Sequence, residues 1–547
     1  MINEAPRIPR KLNIWLPLLF ALVMVIGMAI GMKLQPTPPA KKTASNEVPA
    51  HSLGQGKIEE LIRYIEAKYV DEVDRDALVQ KAINTILKEL DPHSNYISAE
   101  QLKGVNEQLE GGFVGIGIEF LIVDDTLVVL STFENGPSAN AGVLAGDRIL
   151  SVTDSIIAGV DMSSNDIMEL LRGKKGTEVS IQVKRGQEVL DFTLTRDKIP
   201  SRSVDVSYML DDNTGFIKVN RFSATTYEEF MQALEELKEK HQMEDLVIDL
   251  RGNPGGYLQE ATNILSQLFP EKDRLMVYTE GRTVKRSDYE STGRNFHAVD
   301  DIAVLIDEGS ASASEIMAGA VQDWDRGTII GRRSFGKGLV QEQYQLRDGS
   351  ALRLTVARYY TPSGRLIQKD YEDKEAYDRD FGQRFKNGEL YSRDSIHVAD
   401  STIFQTAGGR VVFGGGGITP DVFIPFDSTY MMKYYVQLYS QLPTFIYRHV
   451  ENNRKKYDEL SFEAYESDFE ISDELFYDLV AYGEDNDLPR NNEEINLVKQ
   501  AIKQVMKARI AKHLYGDEGM FKVLDDSDDS IKEAVKILRE DKPIVQK

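Results

Sequence analysis

From Val204 to Pro425 the sequence alternates two kinds of segment, and this alternation restricts the fold more than any other feature. Short apolar runs of buried-strand type, "GFIKVNRF", "DLVIDLRG", "IAVLIDEG" and "GTIIG", are separated by the helical patterns "TTYEEFMQALEELKEKH", "YLQEATNILSQLF" and "SASEIMAGAVQDW". Such alternation predicts a largely parallel sheet with helices on it, and ligand sites at the C-terminal ends of the strands. Two turn-rich stretches fall at such ends: "RGNPGG", Arg251–Gly256, and "EGSASASE", Glu308–Glu315. The pattern stops after "YYTPSGRLIQ". Residues 369–402 are polar and charged and read as an insertion, and "VVFGGGGITPDVFIP" closes the α/β unit, which spans 200–426.

At 547 residues the chain is too long for one core, so several domains are expected. Near the start, Arg7, Arg10 and Lys11 precede an uncharged apolar run over 12–32. A run of about 20 residues matches a bilayer span, whereas a signal-peptide core is usually about 7–15. The preceding bases favour a cytoplasmic N-terminus, against which Lys33, Lys41 and Lys42 on the far side count. No small-x-small cleavage site follows at once, so the expectation is an uncleaved anchor, with a cleaved signal segment as the alternative. Either way the bulk of the chain is extracytoplasmic, which is periplasmic in a Gram-negative bacterium. Residues 33–56, rich in Pro, Ala and Ser, form a tether.

Charge and composition remove several functions. The formal charge of −23 argues against nucleic acid as a ligand. The absence of cysteine removes disulfides, thiolate metal sites and cysteine nucleophiles. The histidines are scattered singly, so no metal site is written and no cofactor is expected. An acidic chain always offers carboxylate pairs, so nothing selects a glycosidase pair.

Residues 57–104 form a small helical segment, whose apolar positions at helical spacing read as two or three short helices ending near "DPHSNY". His93 there has no second histidine three or four residues away and reads as a loop residue. Over 105–199 the period changes to alternation, in "GGFVGIGIEFLIVDDTLVVLSTF", followed by "AGVLAGDRIL", a helical "SNDIMELLRG" and two more strands. This order resembles a PDZ domain. Gly115, Ile116, Gly117 and Ile118 match the loop whose backbone N–H groups hold a peptide's terminal carboxylate, and the following strand offers its edge to an extended peptide.

The chemistry of the α/β unit turns on "EGSASASE" and "GRRSFGKGLVQ" (Gly331–Gln341). The second stretch mimics a P-loop, but Gly338 stands where Ser or Thr is needed and strand follows where helix is needed. It also satisfies S-x-x-K through Ser334 and Lys337, but glycines surround it and no K-T-G occurs. A serine hydroxyl needs a base to take its proton, and with no histidine beside these loops lysine is the remaining base. Its pKa must fall from about 10.4 towards neutrality, which burial without a carboxylate partner achieves. No acid occurs between Gly331 and Gln341, and Phe335, Leu339 and Val340 flank Lys337. If this piece is extended, Lys337 and Gln341 share a face, so that Gln341 can accept a lysine N–H.

"GSASASEI" through "AGAVQD", followed by "FGKGLVQ", resembles the carboxy-terminal processing (tail-specific) peptidases, and the likeness extends from "LDPHSNY" to "GGGITPD". It implies a crotonase/Clp-protease-like α/β core in a serine endopeptidase of Ser–Lys type, with Ser312 as nucleophile, Lys337 as general base and Gln341 as its orienting residue. Spacing alone does not choose Ser312 over Ser310 or Ser314. The resemblance also implies an oxyanion hole from Ala313 N–H and a glycine N–H of the "RGNPGG" loop, either Gly255 or Gly256. Ser334 stands where threonine is more usual, a mild change. The bland reading of Ser312 with Glu315 is a capping box, S-x-x-E, which is compatible with catalysis because a helix N-terminus favours a developing anion.

Residues 427–547 are helix-prone and acidic, with Arg490 the only base between Asp458 and Glu494, and this run reads as solvated surface. The expected partners are unfolded or partly folded protein C-termini and, through the N-terminal helix, a membrane; a homo-oligomer is compatible with the chain. The competing class is a catalytically silent PDZ scaffold that binds C-termini without cutting them.

Overall fold

The apolar runs of the α/β unit become a six-stranded sheet in the order Val204–Met209, Thr214–Val219, Asp245–Asp249, Ile302–Ile306, Thr328–Gly331, Val422–Phe423. All neighbours are parallel except the first pair. This computed structural model describes residues 56–396, 402–457 and 459–540, so the expected anchor over 12–32 lies outside the described residues. Among the described residues no helix is long and apolar enough to cross a membrane. The chain divides into two units, Met1–Ala82 and Ile83–Lys547. The first holds the helix Lys57–Lys68 and the start of the helix Arg75–Lys88.

Each central strand is buried on both faces, and alternate side chains serve different cores. Ile217, Ile248, Val304 and Ile329 pack beneath the helices Thr226–His241, Leu258–Leu268 and Ala313–Asp323. Phe216, Val247, Leu305 and Ile330 face the other way and are covered by Ile531, Ala534 and Leu538 of the helix Asp529–Arg539. A parallel sheet needs both faces covered. The chain's last described helix, read from sequence as part of the acidic C-terminal region, is therefore a layer of the catalytic unit. Replacing Ile531, only 3% exposed, with Ala should destabilise this unit by about 2–5 kcal/mol, read as a lower urea midpoint for loss of the folded core.

A five-stranded sheet that sequence patterning does not reveal lies beside the parallel one. Its order is Asn95–Ile97, Ala351–Tyr360, Lys272–Glu280, Ser287–Thr292, with Leu339–Gln345 also paired to Ala351–Tyr360. The piece expected to be extended after Lys337 is thus a strand, and the "DPHSNY" segment joins the same sheet through Asn95–Ile97.

The PDZ domain is inserted through a two-stranded ribbon, Gly112–Gly115 against Asp197–Pro200. Its sheet runs Ile118–Val123, Thr126–Thr132, Arg148–Val152, Glu178–Arg185, Glu188–Thr195, which leaves Ile118–Val123 at the edge. The helices Pro137–Ala141 and Ser164–Leu171 complete it, and Ile167 and Leu171 share a core with Ile116 and Ile149. The region after residue 427 has its own apolar core, including Leu438, Phe476, Leu479, Val498 and Ile502. Tyr447 of that region packs on Val123 and Val128 of the PDZ sheet, and Lys512 pairs with Glu119 at 3.1 Å. The acidic side chains of the run between Asp458 and Glu494 face outward, while Phe476 and Leu479 from the same run are core, and Asp473 is offset by Lys499 and Lys503 of a later helix.

Candidate active site

The three serines that sequence left undivided have different fates. Ser310 Oγ donates to the Leu250 carbonyl (2.8 Å) and accepts from Asp307 N–H (3.0 Å). Ser314 Oγ donates to the Asn253 carbonyl (3.0 Å). Both are fully buried and consumed in holding the turn. Ser312 is partly exposed and has φ 55°, ψ −113° at the head of the helix Ala313–Asp323. A non-glycine residue at such angles is strained, and surrounding contacts must hold it there. Half of the S-x-x-E capping box is in place: Glu315 accepts Ser312 N–H, while Glu315 N–H bonds to the Ser312 carbonyl.

The residue that holds this turn is Glu315, whose side chain is completely buried. Its Oε2 accepts N–H from Ser312 (2.9 Å) and from Lys337 (2.8 Å), and its Oε1 accepts Gly336 N–H (2.7 Å) and Ser334 Oγ–H (2.5 Å). One carboxylate therefore fixes the distance between the serine turn and the lysine loop. Burial pushes the Glu315 pKa up, and these hydrogen bonds oppose the rise. Ser334, the mild departure from threonine, takes part fully; its Oγ also accepts Ile418 N–H at 2.6 Å. Tyr359, buried as well, ties the same two segments from another side by donating to the Ser312 carbonyl (3.0 Å) or to that of Lys337.

Lys337 Nζ donates to Gln341 Oε1 at 3.2 Å, and Gln341 Nε2 donates to the His93 carbonyl at 2.6 Å. Burial, with Arg353 nearby, holds the Lys337 pKa below its ordinary value against the pull of Glu315 and Asp91. Glu315 and Asp91 act on the ammonium only at longer range, since Glu315 binds the Lys337 backbone N–H and Nζ donates to Gln341. Among the described residues no hydrogen bond joins Ser312 Oγ to Lys337 Nζ; catalytic hydrogen bonds often tighten only with substrate bound.

His93, read as a bystander, contributes through its backbone. Its loop is closed by Asp91, which accepts N–H from His93 (2.8 Å) and Ser94 (2.7 Å), and Ser94 Oγ accepts Thr355 N–H at 3.1 Å. The His93 ring is pushed down to about 4, by burial first and then by Lys337, so it is neutral near pH 7. The only sequence signal for this role was the "LDPHSNY" motif carried by the family resemblance.

Asn253 is a second residue that sequence reasoning missed. Its carbonyl accepts Ala311 N–H (2.9 Å) as well as Ser314 Oγ–H, and its Oδ1 accepts Gly255 N–H at 2.8 Å. A Cβ on Gly255 would lie 2.7 Å from the Ala311 carbonyl oxygen and from Ser312 Cβ, and its φ of 96° favours glycine. A Cβ on Gly256, at φ 148°, would instead meet the Phe222 carbonyl oxygen. Behind the loop, Arg251 pairs with Asp249 (2.8 Å) and with Asp528 of the C-terminal region (2.6 Å).

The segment 369–396, polar and charged and read as part of an insertion, turns several of its charges inward. Lys369, Arg384 and Glu389 are all buried, and Arg384 donates to the carbonyls of Arg333 (3.0 Å), Ser334 (2.9 Å) and Phe335 (3.3 Å). Its polar sequence reflects salt bridges turned inward rather than exposure. The PDZ residues Gly115, Ile116, Gly117 and Ile118 lie at the start of the edge strand, far along the chain from Ser312; the Ile116 carbonyl is bound by Ser138 N–H (3.0 Å) and Oγ–H (2.7 Å).

An α/β sheet with a strained serine at a strand end, a half-buried lysine on a loop tied to it through Glu315 and an inserted PDZ domain define a PDZ-bearing peptidase. Comparison with known proteins agrees. "Peptidase family S41" matches residues 213–374, "PDZ domain" matches 114–195, and a "Family of unknown function (DUF8443)" matches 434–516. The carboxy-terminal processing protease CtpB of Bacillus subtilis (strain 168) is 37% identical over 336 residues, covering 60% of this chain and 68% of that protein. A carboxy-terminal-processing protease of Bartonella bacilliformis is 37% identical over 317 residues, 56% of this chain and 71% of the relative. Among solved structures, a photosystem II D1 C-terminal processing protease is 30% identical, with 57% of this chain and 84% of that chain covered and a TM-score of 0.33. The chain belongs to the carboxy-terminal processing serine proteases of peptidase family S41.

Proposed function

We propose that this chain is a membrane-anchored, extracytoplasmic endopeptidase that takes hold of protein C-termini through its PDZ domain and cuts them with a Ser312–Lys337 dyad. The observation that carries the mechanism is the shared carboxylate: one oxygen of Glu315 holds the backbone N–H of both Ser312 and Lys337. In this reading neutral Lys337 takes the Ser312 proton as Oγ attacks the scissile carbonyl. The lysine then returns the proton to the leaving amine, and water releases the acyl group from Ser312. Gln341 keeps the lysine lone pair aimed. Ser314, Glu315 and Ile316 N–H groups have backbone acceptors, which leaves Ala313 N–H as the first-turn donor for the oxyanion. Gly255 N–H is engaged by Asn253, so the second donor falls to Gly256. The extracytoplasmic placement rests on the apolar run over 12–32 and the bases before it.

The pH dependence follows from the lysine. Activity should rise as Lys337 loses its proton, along a limb below the ordinary lysine value of 10.5. A pH–rate profile measured on an unfolded protein substrate checks this; a rate that falls across that limb would exclude a lysine base. The unfolded chain also holds more protons than the folded one at this group. Lys337 therefore costs stability below its folded pKa, and the cost fades as pH rises towards the unfolded value.

Tail capture is supported by the PDZ match and by the edge position of Ile118–Val123, which suits strand addition next to the Gly115–Ile118 loop. Peptides with a free, apolar C-terminus should be cleaved at least about tenfold faster than the same peptides amidated, since the loop's N–H groups recognise a carboxylate. Equal rates on the paired peptides would remove tail capture from the reading and leave the peptidase.

A further inference from the structure

The loop that carries Lys337 has no regular structure of its own from Arg332 to Gly338, so its carbonyl groups need partners elsewhere. Glu315 takes its N–H groups on one side. On the other side a single guanidinium, that of Arg384, reaches the carbonyls of Arg333, Ser334 and Phe335, and Lys369 N–H donates to the Gly336 carbonyl at 2.9 Å. Arg384 is itself fixed, with Asp380 at 3.0 Å from its Nε, while Glu389 binds Arg333 through both oxygens, at 2.6 and 3.0 Å. Lys369 bridges to Asp380 at 3.0 Å, and its ammonium lies 3.9 Å from the Phe335 ring centroid and 4.1 Å from that of Tyr377.

A second line runs from the same segment to the same lysine. Tyr377 OH is 2.6 Å from His93 Nε2, the His93 carbonyl holds Gln341 Nε2, and Gln341 Oε1 holds Lys337 Nζ. We infer that the segment Lys369–Ser395 is the positioning device of the catalytic lysine: Arg384 fixes the loop that bears it, and Tyr377 fixes the glutamine that aims it. This rests on the Ser–Lys reading above. Arg384 and Tyr377 touch no reacting atom and are positioning residues. Their effect reaches the chemistry because a loop released on its carbonyl side admits water to Lys337, whose amine then moves back towards its ordinary protonation.

The groups facing Lys337 are Glu315 from the nucleophile helix, Asp91 and His93 from the "DPHS" loop and Arg353 from the adjoining strand, so a change in the lysine's titration is read against an otherwise unchanged set. The test uses the full chain and a dye-labelled unfolded casein, comparing kcat, KM and the pH–rate limb for Arg384→Gln, Arg384→Lys, Glu389→Gln and Tyr377→Phe. Arg379→Gln, in an exposed pair with Glu375, is the control within the same segment.

The expected result for Arg384→Gln is a kcat about tenfold or more lower at neutral pH, KM within about threefold, and a limb displaced about one unit to alkaline pH. Arg384→Lys should recover part of both changes, Glu389→Gln and Tyr377→Phe should move the limb the same way by less, and Arg379→Gln should match the parent. A segment that only stabilises the fold would lower the active fraction and leave the limb where it was. A folded Arg384→Gln protein with the parental limb would therefore overturn the inference. If that variant fails to fold, parental limbs in both Glu389→Gln and Tyr377→Phe would overturn it. Lys337→Ala separates the two levels: turnover surviving in that variant would sink the lysine-base reading itself, whereas a dead Lys337→Ala with unmoved limbs elsewhere would sink the brace alone.

Discussion

Ser312→Ala and Lys337→Ala should each reduce cleavage of an unstructured protein by about 10⁴-fold or more, with the fold intact. The two losses should be similar, and the double variant should be hardly worse, because in the proposed mechanism nucleophile and base act as one unit. Lys337→Arg should be as inactive as the alanine variant, since a guanidinium does not give up its proton at neutral pH. The neighbouring serines set the contrast. Ser310→Ala leaves Asp307 N–H without its acceptor, and Ser314→Ala removes one of the two donors to the Asn253 carbonyl; each should cost about 1–3 kcal/mol of stability, yet both should still cleave. Turnover numbers at matched folded fraction decide the matter. A Ser312→Ala enzyme that cuts at the parental rate would move the nucleophile elsewhere.

Glu315→Gln should be nearly as damaging, although no reacting atom touches this side chain. Four donors converge on the carboxylate, from Ser312, Ser334, Gly336 and Lys337. An amide keeps one acceptor oxygen and turns an NH₂ group towards donors that then have no partner. At a fully buried position the expected cost is about 3–5 kcal/mol of stability, with kcat about a hundredfold lower in the fraction that folds. A cycle with Ser334→Ala isolates one arm: coupling of about 1 kcal/mol or more is expected between the two side chains, because they share a hydrogen bond. Additive effects, or parental kcat in Glu315→Gln, would show that the two loops keep their spacing without this hub.

Much of this architecture was readable from residue order, and the exceptions have physical reasons. The strand–helix alternation, the turns at Arg251–Gly256 and Glu308–Glu315, and the pairing of Lys337 with Gln341 are local patterns that one sequence displays. The choice of Ser312 is not local. It depends on which hydroxyls the chain consumes elsewhere, and Leu250 and Asn253 lie some sixty residues upstream. His93 escaped because it acts through a carbonyl, an atom every residue carries. Arg384 and Glu389 escaped because a charged side chain looks solvated until its partner, some fifty residues back at Arg333–Phe335, is folded against it. Tyr359 was hidden for the same reason, as an aromatic in a strand of the sheet that patterning did not resolve.

The helix Asp529–Arg539 covers the middle strands of one face of a sheet whose strands are complete by Phe423. During synthesis that face stays wet until the helix emerges from the ribosome, so the growing chain carries a peptidase that is spelled out but not yet assembled. A chain that stops short of Asp529 should therefore leave Phe216, Val247, Leu305 and Ile330 uncovered and lose its fold, although Ser312, Lys337 and Gln341 are all present in it.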